Sequence, residues 1–206
     1  MSTPARRSPL KPHWTTRYLF HRSILDLRQR RHPDDPWLTA DAIAFLGQWV
    51  QPGDRCLEWG SGRSTWWLAA RGASVATVEH DEAWAAAVLA KPSGPGAIEL
   101  VHVAADREDD YVAAHPDLGG VDLALIDGIH REGCALRAVT EVRPGGLLVV
   151  DNIERHLPSR STSPEARGQQ APEPGWRAFA EATEGWRRWW TTNGVTDTAL
   201  WFKPAR

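Results

Sequence analysis

The apolar positions of the chain follow two periods in turn, and this alternation predicts strands that alternate with helices. Short apolar runs of the kind found in buried strands lie at 55–59, 75–78, 98–103, 121–126 and 147–150. Helical spacing follows Thr39, a candidate N-cap, and further helices are predicted at 64–71, 81–90, 131–142 and 176–183. Strands alternating with helices form a parallel sheet covered on both faces. The sequence therefore predicts a doubly wound α/β fold.

Both ends of the chain and one internal segment depart from this alternation. Residues 186–192 and 196–202 have the pattern of two closing strands joined through Asn193-Gly194, which predicts an antiparallel C-terminal hairpin. We predict that residues 1–36 form a partly helical N-terminal extension and that residues 37–206 form one domain. Within that domain, residues 154–175 are rich in Pro, Ser, Arg, Glu and Gly. They predict an irregular excursion, either a mobile lid over a site or a disordered surface loop.

Composition and charge restrict the kinds of partner. The 206 residues include 24 basic and 26 acidic side chains, so no global field favours nucleic acid or an anionic membrane. No apolar run reaches the roughly 18 residues that a membrane span needs. Two cysteines do not make a disulfide framework, and a reducing cytosol is the simplest setting. We therefore predict a cytoplasmic protein, in which the N-terminal helix is a candidate contact for a homodimer.

A glycine turn after the first predicted strand is the most informative local feature. The strand at 55–59 runs into Gly60-Ser61-Gly62, and a helix follows directly. This order of strand, glycine turn and helix brings bare backbone close to a ligand. Glu79 ends the next strand 19 residues after Gly60, and a carboxylate about 20 residues on is where such folds hold a ribose hydroxyl. The spacing predicts an adenosine-type cofactor.

Acidic residues follow five successive strands. Because the carboxyl ends of parallel strands meet at one edge of the sheet, we expect these groups to lie near a ligand there. A solvated helix cap is an equally good interpretation for Asp106, but less so for five strand ends together. The strand ends are Glu58-Trp59-Gly60, Glu79-His80, Asp106, Asp127-Gly128-Ile129-His130 and Asp151-Asn152.

The ordered set of these motifs resembles class I S-adenosylmethionine-dependent methyltransferases over about residues 39–203. That resemblance implies a Rossmann-like fold and a role for each matching position. Around the methionine part of the cofactor it would place Glu58, Gly60 and Gly62, with Ser61 and Ser64 as hydrogen-bond partners. Glu79 would accept from the ribose hydroxyls, His80 and Asp106 would lie near the adenine, and Asp127 would lie beside the sulfonium.

A finer resemblance, to small-molecule O-methyltransferases, implies a hydroxyl oxygen as acceptor. In metal-dependent members an Asp after the fourth strand and an Asp-Asn pair after the fifth hold a divalent cation. Asp127, Asp151 and Asn152 match those places, and three oxygen donors suit Mg²⁺. The Asp-Asn pair is equally typical of a cap on the next segment. Two routes to deprotonate the acceptor therefore stay open: the metal, or His130 as general base. His130 facing solvent at the start of a helix is the alternative to the second route.

Three other functions remain as alternatives. A nicotinamide-dependent oxidoreductase would use a similar sheet, but Thr65 stands where its fingerprint has a third glycine or alanine. A non-catalytic nucleoside-binding module would keep the sheet without methylating anything. Transfer to RNA is disfavoured by the missing basic stripe. We predict a small-molecule acceptor.

Overall fold

The computed structural model describes residues 15–92, 94–116 and 118–205. Its core is a seven-stranded sheet with the order β3-β2-β1-β4-β5-β7-β6. The five strands β1 to β5 are parallel to one another, whereas β7 runs antiparallel to both β5 and β6. The predicted doubly wound sheet with an antiparallel C-terminal hairpin is confirmed. The strands are β1 Arg55–Trp59, β2 Ser74–Glu79, β3 Ile98–His102, β4 Val121–Ile126, β5 Val142–Asp151, β6 Arg187–Thr192 and β7 Asp197–Phe202.

Helices cover both faces of the sheet, because side chains along each central strand point alternately to the two sides. On β4, Leu123 and Leu125 pack in a core with α2 and α3, and Ala124 and Ile126 pack in a second core with α6 and α7. The helices are α1 Thr16–Arg31, α2 Ala40–Trp49, α3 Arg63–Ala69, α4 Glu82–Ala90, α5 Glu108–Ala113, α6 Arg131–Glu141 and α7 Pro174–Ala182.

The structure differs from the sequence pattern at three places. Residues 143–146, which have the composition of a turn, continue β5, since Gly145 donates to the Lys203 carbonyl and Lys203 to the Gly146 carbonyl. Helix α5 has no apolar period and buries only Tyr111, so the pattern did not predict it. Thr39 precedes α2 but makes no side-chain cap, because its hydroxyl is hydrogen-bonded to Thr191.

The segment 154–175 is hydrogen-bonded both to β7 and within itself. Ser163 donates to the buried Asp197 carboxylate at 2.7 Å, and the Asp197 amide donates to the Glu154 carboxylate at 3.1 Å. Within the segment, the Arg167 amide donates to the Glu154 carbonyl at 2.9 Å. The segment has no regular secondary structure apart from a 3-10 turn at Ile153–Arg155 and the first two residues of α7. In this conformation hydrogen bonds hold the segment in place.

Helix α1 packs more loosely than the rest of the fold, since none of its residues is buried. Residues 1–14 of the predicted N-terminal extension lie outside the described residues. About half of the surface of several of its apolar side chains is exposed, and the homodimer assigned to this helix stays a prediction. These side chains are Leu19, Phe20, Ile24 and Leu27. In the described part of the chain, no helix has the length and apolar character to cross a membrane.

Candidate functional site

Two glycine turns meet in backbone contact at the carboxyl edge of the sheet. Gly60, after β1, has a φ of +95°, and a Cβ built there would lie 2.5 Å from the Gly128 nitrogen. Gly128, after β4, would bring a Cβ to 2.8 Å from the Gly60 nitrogen. Neither position therefore accepts a side chain without movement of the backbone. Sequence reasoning assigned Gly60 to the site but missed Gly128, although it follows Asp127 directly.

The Glu79 carboxylate fixes the conformation of the first turn. One oxygen accepts the Ser61 amide at 3.0 Å, and the other accepts the amides of His80 and Asp81 at 2.7 and 2.9 Å. The residue is 3% exposed. A carboxylate has about four acceptor positions, so one is left for a ligand hydroxyl.

Glu58 lies beneath this turn, not on the wall of the cavity. It is fully buried, and its Oε2 accepts from the hydroxyls of Thr65 and Thr77. The Thr65 hydroxyl in turn accepts the Gly62 amide at 2.8 Å. Burial raises the pKa of Glu58 to about 7. Thr65, which departs from the nicotinamide fingerprint, thus has a specific role in holding the turn.

A cavity of about 470 Å³ opens above the turn. Most of the residues predicted to bind a cofactor line it; Glu58 and Asp106 do not, and Asp106 lies on an exposed loop. The predicted residues that line it are Gly60, Ser61, Gly62, Ser64, Glu79, His80 and Asp127. Sequence reasoning missed others: Trp37, Arg63, Asp81, Trp84, Gly128 and Ile129. Trp84 is held there by its indole N–H, which donates to the Ser61 carbonyl at 2.7 Å.

A second cavity, of about 420 Å³, adjoins the first. Its walls come from α1, the segment 154–175, the hairpin turn and the ends of β4 and β5; they include Tyr18, Arg22, Gln29, Arg155, Glu165, Asn193 and Thr196. Asp127 and Trp37 line both cavities. A group passing from a ligand in one cavity to a ligand in the other would therefore cross beside Asp127.

Arg131 lies among the groups predicted to bind a metal. Its Nη2 donates to the carbonyl and Oδ1 of Asp127 at 2.6 and 3.0 Å, and its Nη1 donates to the Asp151 carbonyl and the Asn152 Oδ1 at 2.6 and 3.1 Å. The two Asp151 carboxylate oxygens accept from Thr198 and from the Asn152 amide. The Arg131 guanidinium thus already supplies a fixed positive charge at this edge.

These contacts do not fit a divalent cation held by Asp127, Asp151 and Asn152. A single oxygen of the set, the Asp127 Oδ2, has no hydrogen bond to a described residue, and Mg²⁺ needs several free oxygens. Across residues 15–92, 94–116 and 118–205, no group of three or more His, Cys, Asp or Glu side chains is placed to hold a metal. Asp127 and Arg131 are four residues apart, but Asp127 lies before α6, so the pairing rule for residues within a helix does not predict this contact.

Burial changes the proton affinity of both acids at this edge. It raises the pKa of Asp127 above its ordinary value, although Arg131 opposes that shift. Burial, and then the neighbouring Asp127 charge, raise the pKa of Asp151 well above its ordinary value. Both acids at this edge therefore hold a proton more readily than an exposed Asp does.

His130 does not line either cavity. Its Nε2 donates to the Ala105 carbonyl at 2.8 Å, and its Nδ1 lies 3.4 Å from a Glu108 carboxylate oxygen. Both ring nitrogens therefore face the loop after β3, which does not favour the predicted role as general base. Its left-handed backbone, with a φ of +49°, turns the chain from β4 into α6.

Comparison with known proteins supports the enzyme class. Residues 57–153 match the sequence model of a protein family described as a methyltransferase domain. A search of curated proteins finds no match. The family match and the cavity above the glycine turn support the predicted class, an S-adenosylmethionine-dependent methyltransferase. The family match identifies neither the methyl acceptor nor a metal.

Solved structures share the fold at low sequence identity. A methyltransferase-like protein from Silicibacter pomeroyi is 23% identical, with a TM-score of 0.54 over 82% of this chain and 88% of that one. A putative O-methyltransferase from Klebsiella pneumoniae is 21% identical, with a TM-score of 0.54 over 95% and 91%. A third is the 1,6-didemethyltoxoflavin-N1-methyltransferase of Burkholderia thailandensis with its substrate and S-adenosylhomocysteine bound, 16% identical, with a TM-score of 0.51 over 98% and 94%.

Proposed function

We propose that the protein transfers a methyl group from S-adenosylmethionine to a hydroxyl oxygen of a small polar molecule bound in the second cavity. The observation that carries the proposal is the position of Asp127, which lines both cavities. One neighbour in fold, a putative O-methyltransferase, is consistent with the oxygen acceptor. Another, an N1-methyltransferase with S-adenosylhomocysteine and a small molecule bound, is consistent with the cofactor and with a small acceptor.

The first cavity offers a complementary group for each part of the cofactor. The bare backbone of Gly60 and Gly62 admits the methionine part, and Glu79 accepts from a ribose hydroxyl. His80, Trp84 and Ile129 provide ring and apolar contacts for the base. The residues present therefore fit S-adenosylmethionine, which when bound would supply an activated methyl group on a cationic sulfur.

Asp127 accepts the proton of the acceptor hydroxyl in this proposal. Its Oδ1 is held by Arg131, while its Oδ2 is not bonded to any described residue and its side chain is 28% exposed. Burial raises its pKa, which makes it a better base than an ordinary carboxylate. Oδ2 would take the proton that the acceptor hydroxyl loses as its oxygen gains the methyl group. Bound S-adenosylmethionine would supply that methyl group as a cation and be left as a neutral thioether, so the charges would balance.

Magnesium has no step in this mechanism. The Asn152 and Asp151 oxygens that would hold it accept hydrogen bonds already, and Arg131 supplies a fixed positive charge. That charge holds Asp127 in one orientation beside the transfer path. His130 is likewise given no proton-transfer role here, because its ring faces the loop after β3.

The walls of the second cavity support an acceptor with both ring and polar groups. Tyr18 and Trp37 offer aromatic faces, whereas Gln29, Asn193 and Thr196 offer hydrogen-bonding groups. Such a mixture favours a ring-containing molecule with several hydroxyls, for example a catechol or a sugar.

Turnover with radiolabelled S-adenosylmethionine tests the proposal. Phenols, catechols and sugars are compared with amines of matched shape, with and without EDTA. We expect S-adenosylhomocysteine to form with a hydroxylated acceptor at a rate that EDTA leaves unchanged. Transfer to amines alone would contradict the oxygen acceptor, and loss of activity in EDTA with recovery in Mg²⁺ would contradict the metal-free step. Binding of NADH in place of S-adenosylhomocysteine would contradict the enzyme class.

Asp127→Asn isolates the proposed base. The amide oxygen still accepts from Arg131, so we expect unchanged S-adenosylhomocysteine affinity and a kcat lower by about 100-fold or more. Asp122→Asn is the matched control, because Asp122 is an acid near the other end of β4 whose Oδ1 accepts from Arg143 at 2.6 Å. That variant should lose stability and keep its kcat.

A further inference from the structure

Arg63 stands out among the residues that line the first cavity. It follows Gly62 directly and is the first residue of α3. Its Nη1 is buried and has no hydrogen-bond partner in the described part of the chain. A buried donor of a charged group costs free energy unless an acceptor satisfies it. The side chain is therefore arranged for an anionic partner that the protein itself does not provide.

The charges around this cavity are asymmetric. Arg63 is the one lysine or arginine among the described residues that line it, whereas Glu79, Asp81 and Asp127 contribute three carboxylates. S-adenosylmethionine carries the complementary set: one carboxylate, one ammonium and one sulfonium. The carboxylate is the one part of the cofactor that the acidic wall would repel, and Arg63 is the one strong cation that can attract it.

Trp37 connects Arg63 to the second cavity. The Arg63 guanidinium carbon lies 5.1 Å from the centre of the Trp37 ring, within cation–π distance. Trp37 lies on the short linker between α1 and α2, is 59% exposed and lines both cavities. Helix α1 supplies one wall of the second cavity and has no buried residue of its own. The position of α1 is thus sensitive to the contacts that Trp37 makes.

We propose that Arg63 binds the carboxylate of the cofactor's amino-acid part, and that Trp37, stacked on Arg63, carries this contact to the acceptor wall. The inference rests on the proposed function, since it assumes that the first cavity holds S-adenosylmethionine. Its consequence is an order of binding: the cofactor fixes Arg63 and Trp37, and α1 then completes the acceptor cavity. Trp37 and Arg63 are positioning residues for the acceptor site.

A pair of ligands tests the first step. S-adenosylhomocysteine carries the carboxylate, whereas 5′-methylthioadenosine has the same nucleoside and no amino-acid part. By calorimetry we expect Arg63→Met to weaken S-adenosylhomocysteine binding by about 10- to 100-fold and to leave 5′-methylthioadenosine within about twofold. Arg63→Lys should recover part of the loss.

Arg71→Met is the matched control for the arginine. Arg71 also stacks on a tryptophan, with its guanidinium carbon 3.3 Å from the centre of the Trp67 ring, but it does not line the cavity. We expect it to leave both affinities unchanged. An equal loss for both ligands in Arg63→Met, or no loss for either, would overturn the carboxylate assignment. Wild-type protein that binds neither ligand would instead overturn the proposed function.

Hydrogen exchange tests the second step. In the wild type, S-adenosylhomocysteine should slow amide exchange in α1, whereas 5′-methylthioadenosine should not. Arg63→Met and Trp37→Leu should each remove this protection, even at ligand concentrations that saturate the site. Protection of α1 that is the same with both ligands, or that persists in the two variants, would show that the Arg63–Trp37 contact does not connect the cavities.

Discussion

The two cavities have similar volumes, but one is formed by backbone turns and the other by side chains. The proposed cofactor cavity rests on backbone turns and a buried carboxylate: Gly60 against Gly128, and Glu79 with three amide donors. The proposed acceptor cavity is walled by side chains from α1, from 154–175 and from the hairpin turn, held partly by exposed ion pairs such as Arg155–Glu165. The difference indicates that the first cavity is inseparable from the fold, whereas the second is added to it.

Gly60→Ala should have the largest effect, because the new Cβ would lie 2.5 Å from the Gly128 nitrogen. We expect S-adenosylhomocysteine affinity, measured by calorimetry, to fall by more than about 100-fold, with a lower Tm. Gly53→Ala is the control, since Gly53 has almost the same φ, +93°, with nothing within 4 Å of its Cβ. If the two variants bind equally, backbone contact between the turns is not what shapes the cavity.

Glu79→Gln tests the carboxylate that holds the turn. The amide keeps one acceptor oxygen but directs an N–H group toward backbone donors, either Ser61 or the His80–Asp81 pair. We expect S-adenosylhomocysteine to bind about 10- to 50-fold more weakly. Unchanged affinity would mean that the ribose assignment is wrong.

Glu154 supplies a pH test on the acceptor side. It is 1% exposed, and burial raises its pKa to about 7 from an ordinary 4.5. The folded state binds the Glu154 proton more tightly than the unfolded state does, so protonation of Glu154 stabilises the fold. This contribution to the free energy of unfolding is complete below about pH 4.5 and is lost as the pH rises through about 7. Glu154→Gln removes this dependence, so the variant should gain about 3 kcal/mol over the wild type between pH 4.5 and pH 8.

Urea unfolding at several pH values measures that difference. His156, whose pKa burial lowers to about 4, contributes a slope of opposite sign in both proteins. The difference between variant and wild type isolates Glu154, and a difference that does not change with pH would contradict the assignment. S-adenosylhomocysteine affinity should be the same in both, since the residue does not line the cofactor cavity.

Arg155→Ala should have the smallest effect. Its ion pair with Glu165 has an N–O distance of 2.6 Å, but both side chains are about half exposed, so little stability depends on it. We expect less than about a twofold change in S-adenosylhomocysteine affinity and a change in the KM of the acceptor. A large loss of cofactor affinity would mean that the two cavities are not separable.

The difference between the two cavities also explains how much of the site could be predicted from the sequence. Gly60, Glu79 and Asp127 were found because backbone requirements and strand ends leave a local pattern. Gly128 also follows a strand end, but its contact with the Gly60 turn was not predicted. Arg131 lies four residues after Asp127, but helical spacing does not predict a pair that begins before α6. Trp37 and Arg63 meet across 26 residues with no pattern between them, and the continuation of β5 through 143–146 depends on a partner strand near the C-terminal end.

The turn between β6 and β7 touches α1, so the early and late parts of the chain meet at the acceptor cavity. Gly194 has a φ of +79°, and a Cβ there would lie 2.6 Å from the His21 ring. A larger residue at this position would have to displace the His21 ring, and so change how α1 packs on the hairpin turn, while the paired strands on either side need not change. Substrate range could therefore drift in evolution, or be redesigned, at a single glycine far along the chain from the nucleotide-binding turns.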